Sequence, residues 1–326
     1  MIKTMNNLKS PNGEPILVVD IGGTNIKFGY SCNGEPLDYR RLFSTDVLRR
    51  GDPVHALAAM IGDVVAETAI APQAIVAAVP GFIDTDGDRV LHAANIESLD
   101  GRRLRSELRR LVGCDVLLER DAVLTLLGEA RAGVVQDANH VLGIFFGTGV
   151  GAAFLDDGKP FRGSGWALEM GLMPFHAEGP IPQDMRPNCL ESYASGRALQ
   201  GIAERHGVAV ESIFLAGECN HSLAEEISRF IRYQAIAVGM AAAMVSPATV
   251  LLGGGVVSMV GYPRDTMTEF VRDQVPLAET GRTFDLRWSM HGWSAVLHGA
   301  PETVIEHSRQ KHAACSPATF RRPGCG

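Results

Sequence analysis

Asp20 closes the apolar run Ile16–Val19 in the segment ILVVDIGGTNIKFGY, and Gly22, Gly23 and Thr24 follow almost at once. A carboxylate has no packing reason to end a buried strand. Glycine, by contrast, lets backbone N–H groups approach phosphate oxygens, and a threonine hydroxyl adds a neutral donor. A second turn of the same make, Gly147, Thr148, Gly149 and Gly151, follows the apolar run VLGIFF at 141–146. One such turn is an ordinary hairpin; two in register predict the jaws of a clamp on a nucleoside triphosphate. Beside those phosphates Asp20 would orient Mg²⁺ through water, because that ion dehydrates reluctantly. The plainer reading of Asp20 is a cap on the turn amides. Lys27 is either a neutralising charge for phosphate or an edge-strand lysine. Asp121 follows the short strand DVLLER where a helix begins. It is either a cap or a carboxylate held as an anion by the helix N-terminus, able to accept a proton.

The two glycine turns belong to an internal repeat. Residues 16–36 and 141–160 each read as an apolar strand, a glycine–threonine turn, a second apolar strand, and an Asn-Gly or Asp-Gly hairpin turn before proline. Gly22 and Gly34 are 12 residues apart, and Gly147 and Gly158 are 11. This agreement predicts two duplicated α/β domains, 1–121 and 122–298, with a cleft between them. Around the hairpins, strand runs at 74–84, 115–120, 249–257 and 284–289 alternate with helical patterns. Asp52-Pro53 is a helix start with proline at the first position. Leu104, Leu108 and Leu111 predict the dry side of a helix over about 102–112 whose wet side carries five arginines. Asn188 with Glu191, and Ser222 with Glu225, have the spacing of capping boxes, and Pro263 opens a further helix.

Bulk composition fits this outline. The 326 residues are 46% hydrophobic and 21% charged, with 36 glycines, as expected of an α/β chain with many tight turns. A formal charge of −7 argues against nucleic acid as a partner. No apolar run reaches the roughly 18 residues of a membrane span, and the first residues lack a secretory h-region. The six cysteines form no CxxC pair, so a cytoplasmic location is expected.

The segments DIGGTNIKFG, VAAVPGFID, ERDAVLTLLGEA, GTGVGAAF, LEMGL, NCLESYASG and VLLGGGVV resemble, in order and spacing, the ROK family of bacterial sugar kinases, over about residues 16–310. The resemblance implies an actin-like ATPase (ribonuclease H-like) fold, ATP and Mg²⁺, and sugar and ATP meeting in the interdomain cleft. It implies a final helix, about 299–312, packed back on the first domain, and a homodimer. It makes Asp121 the catalytic base, and Gly253, Gly254 and Gly255 the turn against which adenosine packs. Sugar contacts are implied for Asn95, Arg120, Asp121, Glu169 and Glu191, the last of which keeps its rival role as a cap. The chain departs from the family in three places. Arg120 precedes Asp121 where asparagine is usual. Leu168 and Leu172 stand where glycine and a sugar-binding histidine are usual. Of the zinc-binding cysteines only Cys189 is kept, with Pro182 and Asp184 at two others, so no zinc is expected. Arg120-Asp121 and the segment YPRD resemble the allose kinase subgroup, which suggests D-allose as acceptor. N-acetylmannosamine, another hexose, or a catalytically weak sugar sensor are the other readings. A repressor of the same family would need a helix-turn-helix domain ahead of the first strand.

Overall fold

The computed structural model describes residues 13–315 except 94–95, 178, 184, 276–280 and 282. The strands of the first half are β1 (Pro15–Ile21), β2 (Asn25–Cys32), β3 (Glu35–Pro36), β4 (Arg41–Ser44), β5 (Ala74–Val79), β6 (Gly81–Ile83), β7 (Val90–Ala93) and β8 (Asp115–Arg120). Its helices are α1 (Asp46–Arg49), α2 (Pro53–Thr68) and α3 (Leu104–Val112), and α4 (Asp121–Ala132) follows β8 directly. The second half contains β9 (Val141–Phe146), β10 (Val150–Asp156), β11 (Lys159–Pro160), β12 (Thr249–Gly253) and β13 (Asp285–Trp288). Between β11 and β12 lie α5 (Glu191–Ala194), α6 (Gly196–His206), α7 (Ile213–Gly217) and α8 (His221–Val245). Next come α9 (Arg264–Gln274) and the final helix α10 (Ala295–Cys315).

The repeat read in the sequence is a repeat of topology. One sheet runs β3-β2-β1-β5-β8 and the other β11-β10-β9-β12-β13, so the two follow one another strand for strand. Both hairpin turns take the twisted form that matches strand twist, with Asn33 and Gly34 at φ 54° and 87° and Asp157 and Gly158 at 51° and 73°. In each sheet the last two strands of the order, β5 and β8 or β12 and β13, run parallel to the central strand β1 or β9, so helices must carry the chain across. Helix α2 does this in the first half, capped by Asp52, whose carboxylate accepts from Val54 N and His55 N.

Each sheet has its own core. Leu17, Val19, Phe28 and Tyr30 pack with α2 and α3, and Leu142, Ile144 and Ala152 with α6 and α8. The dry side of α3 is Leu104 and Leu108, but Leu111 is exposed. Val112 packs inward instead, four residues on from Leu108 as helical spacing requires. Helix α8 is capped by Asn220, not Ser222, through a bond from Leu223 N. Helices α4 and α10 fill the space between the two sheets. Leu124, Val296, Leu297 and Ala300 cover Ile16, Val18, Val76 and Ala78, while Ala122, Val123, Leu126 and Leu127 cover Val141, Ala153 and Leu251. The two helices cross closely because glycines face the crossing. A Cβ at Gly128 would fall 1.8 Å from Ala295 O, and one at Gly299 2.1 Å from Leu124 O.

Candidate active site

Asp20 and Lys27 are cross-strand partners in the β1–β2 register, and Lys27 Nζ lies 2.9 Å from Asp20 Oδ2. Lys27 is therefore half-buried against a carboxylate at the mouth of the turn rather than a solvated edge residue. The Gly22–Thr24 turn is held from behind. Thr45 donates through Oγ1 to Gly22 O (2.7 Å) and through N to Thr24 O (3.0 Å), and Arg49 donates to Gly23 O (2.7 Å). A turn whose carbonyls are tied back in this way can present its amides to an anion.

The second turn is held by α6. Gly196 N donates to Gly147 O (2.8 Å) and Arg197 N to Thr148 O (3.3 Å). Glu191 does not cap from a box with Asn188. Asn188 sits at φ 58°, α5 stops at Ala194, and Ser195 caps the separate helix α6 by accepting from Ala198 N. Freed from that role, Glu191 accepts from Val150 N at 3.0 Å, just past the turn. A Cβ on Gly149 would lie 2.2 Å from Glu191 Oε2, whereas one on Gly147 would meet nothing within 4 Å. A side chain at Gly149 would push the Glu191 carboxylate off its position, whereas Gly147 has open space before it. The Gly253–Gly255 turn abuts the same place. Gly254 has φ +96°, and a Cβ there would lie 2.4 Å from Phe146 O.

Asp121 is the first residue of α4, and its Oδ1 accepts from Ala122 N at 2.7 Å. Burial raises its pKa to about 6, with Asp20 adding to the rise and Arg120 and Lys27 opposing it. The helix N-terminus, expected from the sequence to hold the anion, is outweighed by desolvation. The result suits a general base better than the expectation did, because a base works best with a pKa near the working pH. Gly151 of β10 faces the same first turn of α4, with its Cβ position 3.3 Å from Ala122 Cβ.

Arg120 is buried and pairs with Glu169 at 2.7 Å. It also donates to Ala167 O (2.7 Å) and Ala152 O (3.2 Å). Burial raises the Glu169 pKa to about 7, and the charges of Asp121 and Glu191 also raise it. The Glu191 pKa is raised by burial and drawn back by the bond from Val150 N and by Arg197. Asp20, Asp121, Glu169 and Glu191 therefore form a chain of carboxylates within electrostatic reach, interleaved with Lys27, Arg120 and Arg197. Leu168, the residue before Glu169, sits at φ 64°, a left-handed conformation uncommon for leucine.

Asn95 and Asp184 lie outside the described residues. Cys189 Sγ lies 3.2 Å from both Arg186 O and Ser192 Oγ. Sequence reasoning missed Glu119 and Arg162, which pair beside Arg120. It also missed Glu129, a fully buried carboxylate that accepts from Ser289 Oγ, Met290 N and His291 N. The logic that singled out Asp20, a charge in an apolar strand, applies equally to Glu119 in DVLLER. Nothing in the sequence marks Arg162. Among the described residues no helix is long and apolar enough to cross a membrane.

A family model described as the ROK family matches residues 16–306. The N-acetyl-D-glucosamine kinase of Escherichia fergusonii is 27% identical over 302 residues, which cover 86% of this chain and 96% of that protein. The ROK family glucokinase of Streptomyces griseus, solved with glucose and AMPPNP, superposes with TM-score 0.75 at 25% identity, covering 88% and 98%. A ROK family transcriptional regulator homologous to the E. coli MLC protein superposes with TM-score 0.77 at 20% identity, covering 93% of this chain and 79% of that one. These likenesses support the actin-like ATPase fold with its two duplicated halves.

Proposed function

The chain belongs to the ROK family, and from that premise we propose that it is an ATP-dependent hexose kinase with Asp121 as general base. The observation that carries this reading is Asp121 itself: a carboxylate with pKa raised to about 6, at the head of α4, between the first hairpin and the second. The γ-phosphoryl group passes to a sugar hydroxyl, taken here as the 6-hydroxyl, as Asp121 accepts its proton. Gly22–Thr24 and Gly147–Gly151 hold the phosphates through backbone amides, and Lys27 offsets their charge. Gly253–Gly255 receive the adenosine end. Asp20 would hold Mg²⁺ through water, and the ion would supply charge neutralisation to the phosphates. A single carboxylate beside phosphate-binding turns fits an ion that keeps most of its water.

Arg120, Glu169 and Glu191 line the acceptor side, and Asn95 is a further sugar contact by family resemblance alone. Residues 1–121 with the final helix, and 122–298, act as two bodies that close on the substrates and exclude water. The acceptor class is a hexose or an acetamido-hexose, as the names of the relatives suggest. D-Allose is the narrowest form of this proposal and rests on Arg120-Asp121. A sugar sensor would bind the same ligand without turnover. The test is ADP release from Mg-ATP with purified protein and single sugars. Sugar binding with no ADP formed would favour the sensor.

A further inference from the structure

Glu119 and Arg120 are consecutive residues of opposite charge at the end of β8, immediately before Asp121. Each pairs with the same distant segment, and the signs are reversed. Glu119 is only 3% exposed and takes both terminal nitrogens of Arg162, at 2.9 Å on Oε1 and 2.7 Å on Oε2. Arg120 pairs with Glu169 at 2.7 Å and donates to Ala167 O. Residues 162–169 of the second half are thus fastened to the last two residues of β8 by two reciprocal ion pairs. Glu119 Oε1 also accepts from Arg120 N at 2.9 Å, which links the two pairs. Arg162 reaches further, to Glu306 of α10 at 2.8 Å. One guanidinium therefore joins β8, the 162–169 segment and the final helix. A planar, bidentate group fixes direction as well as distance, which a lysine cannot do.

We propose that Arg162 is a positioning residue for phosphoryl transfer: through Glu119 it sets where the 162–169 segment, and with it Glu169, stands relative to Asp121. The inference rests on the kinase reading for its consequence in turnover, though not for the clamp itself. Arg162 belongs neither to the phosphate turns nor to the acceptor residues named above; its side-chain bonds go to Glu119 and Glu306. Its removal therefore acts on acceptor use and leaves the phosphate turns alone.

Arg162→Gln alone leaves Glu119 as a buried charge without its partner and is expected to lower Tm. The decisive variant is Glu119→Gln/Arg162→Gln, which removes both charges and is expected to regain most of that loss. In the double variant, kcat/KM for the acceptor should still fall about 10- to 100-fold, the scale of a misplaced reacting group, with KM for ATP unchanged. Arg162→Lys should fall between. Amide hydrogen exchange, which needs no acceptor, should quicken at 119–121 and 162–169 and nowhere else. A double variant with wild-type acceptor kinetics would overturn the positioning role, leaving Arg162 a purely structural residue if exchange still quickens at 119–121 and 162–169 and no clamp at all if it does not. If the wild-type protein itself transfers phosphate to no sugar, the kinase reading fails, and the exchange result alone decides the clamp.

Discussion

The two hairpins share one backbone plan and differ in what they carry. In β1–β2 the pair one step below the turn is Asp20 opposite Lys27, a half-buried ion pair. In β9–β10 the equivalent pair is Phe145 opposite Gly151, an aromatic ring and no side chain. The same contrast recurs at the far edge of each sheet. There β8 ends in Arg120 and leads into Asp121, whereas β13 ends in Trp288 and leads into Ser289, which binds the buried Glu129. Duplication supplied two matching turns, but the Asp20–Lys27 pair has no counterpart in the second hairpin. The second copy contributes backbone, small residues and the acidic side chains of its long insertion.

This comparison can be broken most sharply at Asp121. Asp121→Asn keeps the hydrogen bond to Ala122 N within reach and should retain sugar binding while phosphoryl transfer falls about 10²- to 10⁴-fold. Steady-state ADP release beside sugar titration measures both. The second hairpin predicts a smaller effect with a different signature. Gly149→Ala places a methyl against Glu191, so KM should rise for ATP and acceptor together, with kcat/KM down about tenfold. Gly147→Ala meets open space and should change KM for ATP alone, by less.

The pH dependence separates the halves again. A base must be unprotonated to act, so kcat/KM should fall as pH drops through about 6, the value to which burial raises Asp121. Asp20 raises that pKa and Lys27 lowers it. Asp20→Asn should therefore move the acid limb down and Lys27→Met should move it up, each by under about one unit. Substitution at Phe145 or Gly151 brings no charge to the base and should leave the limb in place. The smallest effect is on stability. A carboxyl with raised pKa favours folding fully below its unfolded value, and that contribution is lost as pH rises through the folded one. Asp121→Asn should thus raise Tm by a few degrees at pH 8 and not at pH 4, as thermal melts at the two pH values would show.

The fold was legible because duplication doubled a weak signal: one Gly-Thr turn is common, two with matched Asn-Gly and Asp-Gly turns are not. Asp20 was legible as a charge where packing wants none. Only the capping role given to Glu191 fails, because a capping box needs only spacing, and spacing does not reveal that its carboxylate turns to Val150 N instead. Arg120 was visible as a departure, but its pairing with Glu169 is a tertiary contact across 49 positions of sequence. Arg162 lies in a loop with no periodicity to place it. Its role became visible only once β8 and the 162–169 segment stood side by side.

The most direct test of the central claim is ADP release from Mg-ATP by wild-type protein and Asp121→Asn over a panel of allose, glucose, mannose, N-acetylglucosamine and N-acetylmannosamine. The account predicts strong turnover with one sugar or a small set, abolished in the variant although that variant still binds the sugar. Folded wild-type protein that binds ATP and sugar yet releases no ADP, or an Asp121→Asn variant with near-normal turnover, would contradict it.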